Sequence, residues 1–204
     1  MKIYELSHTL EWTKTADSVI RTKVRDHKAK RLFLPAGETP VPLYSCWKEQ
    51  PPLEFDQIQT FVQLDEILRV DHSQTFQSFF EVHLPQYCGR FEWIDDAEKG
   101  ADIAVLGIGT NGHLGFHEPN VPNEFYSGCL KLNSSTCTRL KISANSIGLT
   151  YGLKAFFESK AAILLVRGAS KHEILKRCID GKIAAPAAQL MSHPDLTIIT
   201  DFKI

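Results

Sequence analysis

The sequence predicts an α/β fold: a single domain over residues 1–204 with a doubly wound, mostly parallel sheet flanked by helices. Three observations carry this reading. Five short runs are almost continuously apolar, as strands buried on both faces must be: RLFLP at 31–35, QTFVQL at 59–64, DIAVLGI at 102–108, AAILLV at 161–166 and LTIIT at 196–200. Helical patterns separate them. The 204 residues suffice for a substantial core, with no internal repeat or low-complexity linker, and EQPPLEF around Pro51 and Pro52 is too short to divide the chain.

Taken in order, Trp12, Ala16, Val19, Ile20 and Val24 recur at helical spacing. The basic run His27 to Arg31 reads as the solvated end of that helix, its charge complementing the dipole. After the 31–35 strand, Thr39 and Pro40 read as N-cap and first-turn proline of a helix through Trp47. Ser73 is placed to cap TFQSFFEVHL, and Ser170 to cap KHEILKRCI. Such Rossmann-like sheets bind ligands outside the carboxyl ends of their strands. PAGETP after 31–34, DE after 59–64 and GTNGH after 102–108 all fall at such ends.

Composition narrows the function. Lys+Arg 23 against Asp+Glu 24 leaves no global field to attract nucleic acid or an anionic membrane, so any phosphate specificity must be local. The five cysteines contain no C-x-x-C pair, which argues against a disulfide framework or structural zinc and fits a reducing cytoplasm. MKIYELSHTLEWTK lacks a signal-peptide core, and no window approaches the roughly 20 apolar residues of a membrane span.

The stretch LGIGTNGHLGFHEP, 106–119, places Gly107, Gly109 and Gly112 at the G-x-G-x-x-G spacing of a dinucleotide loop. That motif needs a helix after its glycines, and Gly115 and Pro119 interrupt one almost at once. A zinc site on His113 and His117 lacks the H-E-x-x-H order and a third ligand. Neither a cofactor nor a metal is therefore expected. A surface histidine in a glycine turn remains the plain alternative, but Asn111 and Glu118 are near enough to bond the His113 ring and fix its tautomer for proton transfer. Asp65 and Glu66, adjacent carboxylates at a strand end, suit a proton shuttle or form a solvated turn. Ala36, Gly37, Glu38 and Thr39 form either an ordinary strand-to-helix turn or an anion loop, in which Gly37 permits close approach and free helix N–H groups donate. Cys129 and Cys137 have no evident base and read as buried or incidental.

LPAGETPVPLY, FVQLDEIL and LGIGTNGHLGFHEP together resemble the glucosamine-6-phosphate deaminase/isomerase family, which is related to the 6-phosphogluconolactonases. The last segment matches the family's G-x-G-x-[DN]-G-H-[IL]-[AG]-F-N-E-P, departing chiefly at His117, where asparagine is usual. Phe116, Glu118 and Pro119 favour the deaminase branch over the lactonase branch. The likeness continues through Thr138–Arg139 and VRGASKHE at 166–173, in a chain shorter than usual members. The family's lid segment and its phosphate-binding arginine have no obvious counterpart.

The resemblance implies an amino-sugar-phosphate deaminase/isomerase, converting glucosamine 6-phosphate or an isomer such as galactosamine 6-phosphate to a ketose 6-phosphate and ammonia. Asp65 would be the enolising base and His113 the ring-opening proton carrier, with Asn111 and Glu118 completing a relay that orients and charges the imidazole. Ala36, Gly37, Glu38, Thr39 and Lys171 would hold the phosphate, with Glu66 structural. Glu38 replaces a small residue, and its carboxylate would repel the ligand. Two alternatives stay open: a sugar-phosphate lactone hydrolase, and a non-catalytic sugar-phosphate-binding regulator. The expected partner is a small sugar phosphate, and the expected state a monomer or small homo-oligomer.

Overall fold

Seven parallel strands form the central sheet of the computed structural model, which describes residues 1–68, 75–94 and 99–204. Ser73, the expected cap, lies outside the described residues. The chain begins with β1 (Lys2–Glu5), α1 (Thr9–Asp26), β2 (Arg31–Leu34) and α2 (Val41–Glu49). A 3-10 turn at Leu53–Gln57 leads to β3 (Thr60–Gln63), β4 (Asp65–Leu68) and α3 (Thr75–His83). Another at Pro85–Arg90 leads to β5 (Phe91–Glu92), β6 (Ile103–Gly107), β7 (Ser127–Lys131) and α4 (Ser134–Leu140). The remainder is β8 (Ile147–Tyr151), α5 (Leu153–Phe157), β9 (Ala161–Val166), α6 (His172–Ile179), α7 (Pro186–Leu190) and β10 (Leu196–Thr200).

The sheet order is β1-β10-β9-β6-β2-β3-β5. From the adjacent pair β2 and β6 the chain winds outward both ways, to β3 and β5 on one side and to β9 and β10 on the other, where the first strand β1 forms the edge. Loops leaving the carboxyl ends of such a pair diverge and open a crevice. The apolar runs obey strand parity strictly. Leu32, Leu34, Ile103, Val105, Ile163 and Leu165 pack on one face with Trp12, Ala16, Ile20 and Val24 of α1. Phe33, Ala104, Leu106, Leu164 and Val166 pack on the other with Leu153 and Phe156 of α5 and Leu175 of α6. Each fully buried Leu, Ile or Phe stabilises the fold by roughly 1.5–3 kcal/mol, so both faces had to be apolar. Trp12 Nε1 also donates to the Ile199 carbonyl at 3.1 Å, tying α1 across the sheet.

Four local expectations differ. The basic run is not one helix end: α1 stops at Asp26, Lys28 takes φ 50°, and Arg31 enters β2, where its guanidinium binds Glu92 at 2.6 and 2.8 Å. Thr39 does not cap α2, which starts at Val41 after Pro40, and Ser170 does not cap α6, because a 3-10 turn over Ala169–Lys171 intervenes. Asp65 and Glu66 form no solvated turn. They open β4 in a second, antiparallel sheet of order β4-β8-β7, and both are buried.

Glu66 is structural, as expected. Its carboxylate accepts backbone N–H bonds from Ile67, Thr75, Phe76 and Gln77 at 2.8–3.0 Å, capping the N-terminus of α3. Glu66→Ala strips several buried donors of their partner and should lower the unfolding free energy by about 2–3 kcal/mol in urea titration.

Candidate active site

The three sequence segments meet in one cavity of about 430 Å³ at the β2/β6 crevice, lined by Pro35 to Pro40, Leu64, Asp65, Gly107 to Thr110 and His113. Lys171 and Ser170 reach it from the carboxyl end of β9, and Arg139 from α4. Asn111 and Glu118 stand behind His113 and bond in sequence behind its ring.

The segment 108–119 directly after β6 forms no helix; Leu114 and His117 make an isolated antiparallel bridge instead. Two glycines serve the site. A Cβ on Gly109 would lie 2.1 Å from the His113 ring, so only glycine lets the imidazole stack on this backbone. Gly115 adopts φ +58°, and a Cβ there would come within 2.9 Å of Thr150 Oγ1 and 3.4 Å of Asp65 Oδ2. His117 turns away from His113. Its Nδ1 accepts the Leu153 N–H at 3.0 Å and its Nε2 donates to the Val121 carbonyl at 3.2 Å, so both ring nitrogens serve the backbone and neither offers a metal a lone pair.

The Asn111 amide has one possible orientation. Its Nδ2 donates to Glu118 Oε2 at 2.7 Å, and its Oδ1 accepts the His113 backbone N–H at 3.2 Å. Both partners have fixed hydrogen-bonding roles, so Oδ1 must also accept from His113 Nδ1, 2.7 Å away. The ring proton therefore sits on Nδ1, and Nε2 of the neutral ring is a free base.

Glu118 orients this chain and pulls the imidazole toward protonation, as the expected relay requires, but burial acts more strongly against it. Its Oε1 is 3.7 Å from His113 Nδ1, an ionic approach without a hydrogen bond. Burial pushes His113 down to about 4, Glu118 opposes that, and Arg139 and Lys171 add to it. Desolvation outweighs one carboxylate beyond hydrogen-bond range. The histidine is neutral at pH 7.

Asp65 is tuned the opposite way. Burial raises it to about 7, with a smaller contribution from the Glu66 charge and a partial offset by Arg139. Alternate strand positions face opposite ways, so Asp65 lines the cavity while Glu66 serves α3.

The anion loop is weaker than its sequence implied. Pro40 and Pro42 have no N–H, and the Val41 N–H is used on the Glu38 carbonyl at 3.3 Å, so the first turn of α2 offers few donors. Gly37 to Thr39 remain, and no heavy atom lies within 4 Å of a Cβ placed on Gly37, leaving space for a ligand. Positive charge comes from side chains. Arg139 lines the cavity, and burial together with Arg139 lowers Lys171 from its usual value, as two cations facing one space must do. Sequence reading passed over Arg139 as a cavity group. Its place in TR was the available signal, but a seven-residue helix had to be seen in three dimensions to turn it inward.

Cys129 is exposed on β7 and Cys137 buried, both as free thiols. No described helix is long and apolar enough to cross a membrane.

No family model matches the chain. A glucosamine-6-phosphate deaminase of Lactobacillus delbrueckii subsp. bulgaricus is 32% identical, over 98% of this chain and 97% of the relative. One from Thermoanaerobacter pseudethanolicus is 30% identical, over 98% and 92%. The first alignment runs over 230 positions against 204 residues here, in keeping with a shortened member. Among solved structures, a monomeric glucosamine-6-phosphate deaminase superposes with TM-score 0.83 at 26% identity, covering 98% of this chain and 97% of the other. A 6-phosphogluconolactonase from Thermotoga maritima shares the fold at TM-score 0.75 and 19% identity, covering 99% of each chain. Full-length identity above 30%, together with the Asp65, Asn111, His113 and Glu118 set gathered at one crevice, shows that the chain belongs to the glucosamine-6-phosphate deaminase family.

Proposed function

We propose that residues 1–204 act as one domain that converts glucosamine 6-phosphate, or a close amino-sugar isomer, to a ketose 6-phosphate and ammonia. The observation that carries this is the pairing in one cavity of a carboxylate raised to about 7 with a histidine lowered to about 4. Two titratable groups pushed apart in this way are suited to different proton transfers.

The phosphate lies against Gly37 to Thr39, between Arg139 and Lys171, with Ala36 shaping the loop floor. His113 Nε2 takes the proton of the C1 hydroxyl and returns it to the ring oxygen, which opens the sugar to an aldehyde. Asp65 as carboxylate then removes the C2 proton while the C1 oxygen takes one from the C2 ammonium group, and an enolamine forms. Return of the proton from Asp65 to C1 gives a C2 iminium, and water releases ammonia with that proton and leaves the C2 ketone. Every step is proton transfer or hydrolysis, carried by side chains of this chain. We place the protein in the cytoplasm, acting on a small molecule rather than on nucleic acid, as a monomer or small homo-oligomer.

Incubation with glucosamine 6-phosphate should yield ammonia and fructose 6-phosphate in equal amounts. Absence of both at high protein concentration, or full activity in Asp65→Asn, would sink the reading. Hydrolysis of a sugar-phosphate lactone that survives Asp65→Asn but is lost in His113→Ala would transfer the assignment to the lactonase branch.

The rate should follow Asp65. kcat/KM rises with pH with a midpoint near 7 as this carboxyl ionises. Stability runs the other way: a raised folded value means the native state keeps its proton between 3.8 and about 7, losing stability as pH rises across that window. Above it the full cost of burying the charge remains. Asp65→Asn should therefore stabilise the protein by on the order of 2 kcal/mol at pH 8, and little at pH 4, while abolishing turnover.

The anion site yields two opposed outcomes. Glu38→Ser removes a carboxylate beside the phosphate and should lower KM several-fold, whereas Arg139→Met should raise it by about tenfold or more, each with a smaller change in kcat.

A further inference from the structure

Threonine hydroxyls inside helices commonly bond back to the carbonyl four residues earlier. Thr138 of α4 does so, its Oγ1 donating to the Ser134 carbonyl at 2.8 Å. Thr136, two residues earlier in the same helix, does not. Its backbone N–H is taken by the Asn133 side chain at 2.8 Å, and its hydroxyl donates to Glu118 Oε1 at 2.9 Å, a bond buried from solvent and reaching 18 residues along the chain. Thr136 is 1% exposed and Glu118 4% exposed, so the partners do not exchange this bond for water.

The oxygen that Thr136 holds is the same one that lies 3.7 Å from His113 Nδ1. The other, Oε2, is occupied by the Asn111 amide. We propose that Thr136 is a positioning residue that acts through Glu118: its hydroxyl holds the carboxylate off His113, so the Nδ1–H keeps donating to the Asn111 amide oxygen and Nε2 remains a free base. Without the hydroxyl, Oε1 is a buried acceptor in need of a donor, and the His113 Nδ1–H is within a small side-chain rotation. Direct pairing would redirect the Nδ1–H hydrogen bond from the Asn111 oxygen to an ionised carboxylate and favour the imidazolium. The charged groups facing His113 are Glu118 from its own loop, Arg139 from α4 and Lys171 from the start of α6, and only Glu118 favours the protonated ring. α4 thus contributes two side chains to one site, Arg139 to the ligand anion and Thr136 to the histidine relay.

The kinetic part of this inference rests on the proposed deaminase reading; the spectroscopic part does not. Thr136→Val replaces the hydroxyl with a methyl of similar size, Thr136→Ser retains it, and Thr136→Ala, measured in parallel, guards against a valine that fails to pack. Nitrogen NMR of histidine-labelled full-length protein, with His113 assigned from a His113→Asn spectrum, reads the tautomer and the titration directly. In the wild type and Thr136→Ser, His113 should stay the neutral Nδ1–H tautomer down to about pH 5; in Thr136→Val and Thr136→Ala its midpoint should rise by about one unit or more. With glucosamine 6-phosphate, kcat should fall about tenfold in the two hydroxyl-free variants with KM moved less than twofold, and Thr136→Ser should restore it. An unchanged His113 titration in both hydroxyl-free variants, or a Thr136→Ser protein indistinguishable from them, overturns the proposal. The NMR shift without turnover in the wild type would support the positioning role and reject the deaminase reading.

Discussion

Burial of the central sheet on both faces is the constraint from which the rest follows. Seven parallel strands coated by α1 and α2 on one side and by α5, α6 and α7 on the other leave no room within the layers for polar chemistry. Polar groups are pushed to the strand ends, and the reversal of winding between β2 and β6 chooses which end opens. The cavity is the crevice this reversal leaves.

Within it, low polarity is used twice with opposite sign. Burial works against whichever form is charged, so it raises the Asp65 carboxyl and lowers the His113 imidazole. Hydrogen bonds then decide the details. The Asn111 amide, pinned by Glu118 and by the His113 backbone, fixes which ring nitrogen carries the proton. An aspartate at this position would accept from His113 but could not donate to Glu118, so the neutral amide joins a histidine and a carboxylate that are not directly paired. Arg139 and Lys171 reinforce the neutral ring while leaving positive charge for an anion.

The second, antiparallel sheet makes the division of labour at Asp65 and Glu66 possible. Had the chain turned into solvent after β3, both carboxylates would have been hydrated and ordinary. Instead β4 pairs with β8, sets Asp65 opposite Thr150, and sends its neighbour to the N-terminus of α3. α4, just beyond β7, supplies Arg139 and Thr136 to the same site.

The sequence by itself determined the large parallel sheet, because continuous apolar runs with helical spacers have few other ways to bury both strand faces. It also determined where the site lies, since PAGETP, DE and GTNGH are tied to strand ends by chain connectivity, and it identified Glu118 as a partner of the histidine loop because the separation is short. Tertiary structure decided what depends on distant neighbours: the second sheet, the loss of α2 donors to Pro40, Pro42 and the Glu38 carbonyl, the inward turn of Arg139, and the Thr136 bond to Glu118. It alone set the charge state of His113. That state is a balance between desolvation and a carboxylate 3.7 Å away, and a balance of opposing terms is fixed by distances that no local pattern encodes.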